Sequence, residues 1–277
     1  MTPIRIGISP CPNDTFAFHA IMERRIDLRG LVFEFELLDV QALNNGLFAG
    51  RYDLAKASFH AALLLADRYG VLRAGSALGF GVGPLLVAAD AGVRPSPQSR
   101  VLCPGPTTTG TLLYRCLHPG QGTITHTVFS EIGPQLHSGG ADLGVLIHEG
   151  RLTYDRDGLV LVEDLGASFE RLAQAPIPLG GILARLDLPE PVVATVSSLI
   201  QESIAYGWQH RQDALPTIRA HAQEMGEDVI WPYVELYVTD HTVDLGEDGA
   251  RALATLEAVA RQAGVLDEIP APLRVLG

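Results

Sequence analysis

Apolar residues alternate at Ile4, Ile6 and Ile8, the period of a half-buried strand, and the run stops at Ser9-Pro10-Cys11-Pro12. Asn13 or Asp14 then offers an N-cap for a helix over about residues 15–25. A second alternating stretch, Val32 to Leu37, leads into a helical pattern over about 40–49 and a short strand over 54–59 that contains Lys56 and Ser58. A helix rich in Ala and Leu follows and is expected to end near Tyr69-Gly70. The order βαβαβα predicts an α/β fold with a largely parallel sheet.

Three glycines and a proline, Gly79-Phe80-Gly81-Val82-Gly83-Pro84, then lead into an apolar strand over 85–89. Further along, a strand at 101–103 feeds Pro104-Gly105-Pro106-Thr107-Thr108-Thr109-Gly110 and a helix to about Cys116. The pattern repeats with strands near 124–129, 143–147 and 159–162 and helices near 131–137 and 168–173. Pro176 to Gly181 punctuates the chain again before a strand at 182–184, and beyond Pro189 the apolar spacing of three and four residues predicts helices, as in 192–208 and 249–263. Glycine and proline at both crossings suggest hinges. The expected organisation is two α/β lobes, 1–84 with 181–277 and an inserted 85–180, with a ligand cleft between them.

The chain has 277 residues, 47% of them hydrophobic and 19% charged, which excludes a disordered or fibrous protein and requires a buried core. A formal charge of −12 would repel a phosphate backbone or an anionic membrane, so neither nucleic acid nor a membrane is expected as partner. An anionic ligand would have to be held by a few local groups. One stands out, because of 20 cationic residues only Lys56 is lysine; it is either the remnant of an arginine bias or a position that needs a compact ammonium.

Cys11, Cys103 and Cys116 form no metal-ligand spacing, so free thiols and no structural metal are expected. Arg5 and Pro10 interrupt any leader-like apolar run, and no stretch approaches the roughly 20 residues of a membrane span, which points to the cytoplasm. The oligomeric state is not legible. Gly79-x-Gly81-x-Gly83 runs into a strand rather than a helix and is no dinucleotide fingerprint. His148-Glu149 lacks the second histidine of a zinc protease motif.

Three segments could carry chemistry. Thr107-Thr108-Thr109 stands where a loop becomes a helix, suited to a carboxylate or simply to N-capping. Ser9, Asn13, Asp14 and Thr15 lie at the carboxyl end of the first strand, where open α/β sheets bind ligands, and Lys56 and Ser58 share one strand face at that edge. His148 follows the apolar strand at 143–147 and could be a general base near neutral pH or a structural loop histidine.

Taken together, SPCPNDTF at 9–16, LAKAS at 54–58, ALGFGVGPL at 77–85, PGPTTTG at 104–110, LIHEGRLTY at 146–154, PIPLGGILAR at 176–185 and RAHAQE at 219–224 resemble the 1,4-dihydroxy-6-naphthoate synthases of the futalosine route to menaquinone. These are relatives of chorismate dehydratase with a fold like the periplasmic solute-binding proteins. The resemblance implies a two-lobed, type II binding-protein-like α/β fold and a lyase that converts cyclic dehypoxanthinylfutalosine to 1,4-dihydroxy-6-naphthoate and dihydroxyacetone, without metal or organic cofactor. It implies His148 as general base and Lys56, Ala57, Ser58, Thr108, Thr109 and Gly110 as substrate contacts, with Asn13 and Asp14 added from the strand-end reading. The substrate would be a small carboxylate-bearing anion. Alternatives within the same fold are the chorismate dehydratase activity and a non-catalytic solute-binding protein.

Overall fold

The computed structural model describes residues 2–222, 226–266 and 269–277, so Gln223 and Glu224 of the RAHAQE segment lie outside the described residues. The chain divides into two compact units. Unit 1 comprises residues 1–79, 180–251 and 269–277, and unit 2 comprises 80–179 and 252–268.

Unit 1 begins with β1 (Ile4–Ile8), α1 (Pro12–Met22), β2 (Phe33–Leu37), α2 (Val40–Phe48), β3 (Leu54–Ser58), α3 (Phe59–Leu64), β4 (Tyr69–Leu72) and β5 (Ala77–Gly79). Unit 2 follows with β6 (Leu85–Ala88), β7 (Arg100–Cys103), α4 (Thr109–Leu117), β8 (Thr123–His126), a 3-10 turn at Phe129–Glu131, α5 (Ile132–His137), β9 (Leu143–Leu146), α6 (Gly150–Thr153), β10 (Val160–Asp164) and α7 (Leu165–Ala173). β11 (Ile177–Arg185) carries the chain back into unit 1. The remainder is α8 (Glu190–Gln209), α9 (Arg211–His221), α10 (Glu227–Tyr237), α11 (Asp240–Val243), α12 (Gly246–Gln262) and β12 (Val275–Leu276).

The unit 1 sheet runs β12-β4-β11-β3-β1-β2, with β5 also on β11. β1 pairs in parallel with β2 and β3, whereas β11 runs antiparallel to β3 and β4. The unit 2 sheet runs β10-β6-β9-β7-β8, parallel across β7, β8 and β9 and antiparallel at β6. The expectation of largely parallel sheets is thus corrected to mixed ones: local alternation reports a strand's buried faces, while direction is set by long-range connection. The unit 1 core packs Ile6, Ile8, Phe16 and Ile182 with Val196, Leu199 and Ile200 of α8 and Ile218 of α9. The unit 2 core is smaller, around Leu85, Val87, Leu102, Ile132 and Leu146.

Local chemistry explains the other differences. α1 starts at Pro12, not near Thr15, because proline supplies the helical φ and needs no N–H at the first position. Cys11 is the N-cap, so neither Asn13 nor Asp14 caps the helix. Tyr69–Leu72, expected as a helix end, is a strand held by β11 and β12. Pro176 to Gly181 is largely strand rather than loop, and its glycines answer to packing: a Cβ on Gly180 would fall 2.5 Å from the carbonyl oxygen of Ala57.

Candidate active site

In unit 1 the polar groups at the carboxyl end of β1 close on one another. Asp14 sits in the first turn of α1 and is 3% exposed, and Lys56 in the middle of β3 is 7% exposed. Lys56 Nζ donates to Asp14 Oδ1 at 2.7 Å and to the carbonyl of Gly75 at 3.3 Å. Ser9 Oγ donates to Asp14 Oδ2 at 2.6 Å, and Asn13 Nδ2 donates to Oδ1 at 3.1 Å. The isolated lysine therefore belongs to a buried ion pair, whose carboxylate keeps two further donors. An ammonium carries three protons. Two are taken up by Asp14 and Gly75, and the third has no acceptor among the described residues.

Ser58, on the same strand face as Lys56, is held apart from that pair: its N–H donates to Asn44 Oδ1 at 3.1 Å and its Oγ accepts from Asn44 Nδ2 at 3.4 Å. Ala57 lies between them on the opposite face, fully buried and paired with Gly181. Thr15 Oγ1 donates to the carbonyl of Cys11 at 3.0 Å and is committed to the helix start.

In unit 2 Thr108 is the N-cap of α4, accepting from the Thr111 N–H at 3.3 Å. Its hydroxyl lies 3.0 Å from the Gly105 carbonyl, and Thr111 Oγ1 donates to the same oxygen at 2.6 Å. Thr109 Oγ1 donates to the Leu179 carbonyl at 2.6 Å. Capping thus accounts for the Thr108 hydroxyl, and what α4 offers at its start is the set of first-turn N–H groups, which by helix geometry have no intrahelical acceptor. Gly110 brings this helix end against β9: a Cβ there would meet Ile147 Cγ2 at 3.1 Å and Val145 Cγ1 at 3.2 Å.

His148 comes directly after Ile147, half-buried, at φ +55°. Left-handed backbone at a residue other than glycine is uncommon and concentrates where surrounding structure enforces it. Its ring meets Phe129 edge-on, with centroids 4.9 Å apart and planes at 67°. Glu149 is the N-cap residue of the short α6 and, with Phe129, Ile147, Gly150 and Thr153, lines a cavity of about 450 Å³. Arg151, one turn on, donates to the Gly83 carbonyl at 2.8 Å and to Asp164 Oδ2 at 2.7 Å.

In unit 2 Gly110 thus stands against Ile147, the residue before His148, while in unit 1 hydrogen bonds join Ser9, Asn13 and Lys56 to Asp14. The sequence reading missed Phe129 and Arg151. Arg151 stood within the LIHEGRLTY segment, three residues after His148, and its place in that segment was the available signal. Burial pushes the Cys103 thiol up to about 12 and the Cys116 thiol up to about 11, so both are neutral near pH 7. Among the described residues no three of His, Cys, Asp and Glu are grouped to hold a metal ion, and no helix is long and apolar enough to cross a membrane.

Residues 4–262 match the protein family described as menaquinone biosynthesis. The 1,4-dihydroxy-6-naphthoate synthase of Thermus thermophilus is 42% identical over 276 residues, covering 99% of this chain and all of that protein. The synthase of Streptomyces coelicolor is 34% identical, covering 95% and 94%. A crystal structure of a protein from Archaeoglobus fulgidus superposes with a TM-score of 0.90 at 29% identity, covering 95% of this chain and 98% of that one. The alkanesulfonate-binding protein of Xanthomonas axonopodis pv. citri superposes at 0.69 with 13% identity, covering 99% of each chain, a likeness of fold alone. A Candida albicans protein described as having the generic periplasmic-binding-protein fold also superposes at 0.69, with 13% identity, covering 97% of this chain and 92% of that one. The fold is thus that of the periplasmic binding proteins, and the chain belongs to the menaquinone-biosynthesis enzyme family that includes the 1,4-dihydroxy-6-naphthoate synthases.

Proposed function

We propose that this chain is a cytoplasmic lyase that converts cyclic dehypoxanthinylfutalosine to 1,4-dihydroxy-6-naphthoate with release of dihydroxyacetone, and that His148 is its general base. The observation that supports the assignment is the left-handed turn at His148 just after β9, where the preceding Ile147 and Val145 stand against Gly110 of α4. A neutral imidazole there takes a proton from an acidic C–H of the substrate, which starts the carbon–carbon fragmentation, and a proton is returned to the departing fragment to give dihydroxyacetone. Aromatisation of the bicyclic product supplies the driving force, so the protein has to orient the substrate and move protons.

The anionic character of the substrate sets the remaining roles. The first-turn N–H groups of Thr109 and Gly110, at the positive end of α4, receive an anionic or hydroxyl oxygen. Lys56, held by Asp14, directs its third N–H to the carboxylate, flanked by Ala57 and Ser58. Asn13 and Asp14 keep that ammonium in place rather than touching the reacting atoms.

The test is incubation of the purified chain with cyclic dehypoxanthinylfutalosine and ultraviolet detection of a naphthalene product, with chorismate as the competing substrate. Turnover of the former alone is expected. His148→Asn is expected to lower kcat by about 100-fold to 10,000-fold with the fold intact. Activity within a few-fold of wild type would refute the base, and turnover of chorismate alone would assign the sister reaction. Binding of either compound without turnover would make the protein a solute-binding relative.

A further inference from the structure

The turn that carries His148 has one short backbone hydrogen bond, from the Leu152 N–H to the Glu149 carbonyl at 2.7 Å, and two long ones. Gly150 N–H donates to the Ile147 carbonyl at 3.3 Å and Arg151 N–H to the His148 carbonyl at 3.4 Å, both long for such bonds. The left-handed φ of His148 is unfavourable for a residue other than glycine and persists only where the surroundings over-determine it. Side-chain contacts therefore contribute to holding it.

The Arg151 side chain does this. Its Nη1 reaches the Gly83 carbonyl and its Nη2 the Asp164 carboxylate, in a partly buried setting where Arg151 is 16% and Asp164 23% exposed. Both acceptors are fixed. Asp164 Oδ1 accepts from the Ala167 N–H at 2.9 Å and so caps α7. Gly83 is pressed so closely on Gly166 that a Cβ added to it would fall 2.2 Å from the Gly166 Cα. A planar guanidinium can address two acceptors in set directions at once, where an ammonium would serve them as a point charge. Phe129 meets the imidazole itself edge-on.

We propose that Arg151 is a positioning residue for His148: locked to Gly83 and Asp164, it fixes the turn over residues 147–151 and thereby places the imidazole for proton abstraction, with Phe129 limiting rotation of the ring. This inference rests on His148 being the base. Arg151 itself touches no reacting atom.

The experiment is steady-state kinetics of Arg151→Met in the full chain with cyclic dehypoxanthinylfutalosine, alone and combined with His148→Asn. A misplaced base costs rate rather than affinity, so kcat is expected to fall about 10-fold to 100-fold while KM stays within about 3-fold. Arg151→Lys is expected to recover part of the loss. In the His148→Asn background the same change is expected to alter residual turnover by less than about 2-fold, because there is no longer a base to place. Should Arg151→Met keep wild-type kcat while His148→Asn is inactive, positioning is wrong and the base stands. Should the full loss persist without the imidazole, Arg151 acts on something other than His148. If His148→Asn itself turns over normally, the base reading fails first. If Arg151→Met does not fold, Asp164→Asn keeps a capping oxygen and removes the charged acceptor; it is expected to show the same fall in kcat, and an unchanged kcat overturns the proposal. Ring-proton NMR of His148, identified by its loss in His148→Asn, is expected to shift in the Arg151 or Asp164 variant. An unmoved signal likewise overturns it.

Discussion

Replacing Lys56 by methionine keeps the apolar stem and deletes the ammonium, which strands the Asp14 carboxylate at 3% exposure. At the 2.7 Å contact the gross attraction is about 6 kcal/mol for an effective dielectric near 20. Much of that is offset by desolvating both ions, so the pair itself is worth far less. What the single variant measures is the abandoned charge, about 3 to 5 kcal/mol for a buried pair broken on one side. Ser9 Oγ and Asn13 Nδ2 remain as donors to the carboxylate and soften the loss, so about 3 kcal/mol is expected. For a unit of this size that lowers the melting temperature by roughly 6 to 12 °C.

The paired variant Lys56→Met with Asp14→Asn leaves no charge behind. It is expected to regain most of the lost stability, a coupling of about 2 kcal/mol in a double-mutant cycle followed by thermal or urea unfolding. A single variant melting within 2 °C of wild type by the ~2–4 °C per kcal/mol scale, or purely additive effects, would refute the buried pair. The paired variant also separates fold from function. If Lys56 anchors the carboxylate, its KM is expected to stay raised about 10-fold or more even with stability restored. A wild-type KM would leave the ammonium as a strut for α1 and β3.

Gly110→Ala places a methyl 3.1 Å from Ile147 Cγ2 and 3.2 Å from Val145 Cγ1, so the end of β9 has to give by a few tenths of an ångström beside His148. A fall in kcat of about 10-fold with a melting temperature within a few degrees is expected, and unchanged kcat would show that the strand end yields without moving the imidazole. His19 is fully buried, with Nδ1 2.9 Å from Thr217 Oγ1, and burial holds its pKa below the ordinary 6.5. The unfolded chain then binds the proton more readily, so this stability is complete above pH 6.5 and is lost as pH falls through 6.5 towards the lower folded value, at up to about 1.4 kcal/mol per pH unit. Urea midpoints between pH 7.5 and 5.5 check this; His19→Gln is expected to flatten the decline, and an equal slope in the variant would exclude His19 as its source.

What could be read from the sequence divides along a physical line. β1, α2, β3 and the strand before His148 announce themselves because burial periodicity is local, and the ends of those strands are where the chemistry-bearing residues stand. Partners were not legible. Lys56 and Asp14 are 42 residues apart, and nothing local distinguishes a lysine that will be neutralised from one that will meet solvent. The threonine triplet shows the same limit, since capping and anion binding ask for the same residues at the same place, and only the hydrogen bonds to Gly105 and Leu179 show where the hydroxyls went.

Gly180 and Gly181, expected at a crossing between lobes, lie within β11 where the second unit gives way to the first, and a Cβ on Gly181 would stand 2.8 Å from Ser76 Oγ and 3.0 Å from the Phe59 ring. Conformational freedom and the absence of a side chain are separate properties of glycine, and here it is the second that is used. The same holds at Gly110 and at Gly83 facing Gly166, where helix α4 meets β9 and the α7 start meets the chain entering β6. Those close approaches fix the frame on which the His148 turn is mounted. At these positions the backbone leaves no room for a Cβ, and substitutions there are expected to act on kcat through displacement of the turn.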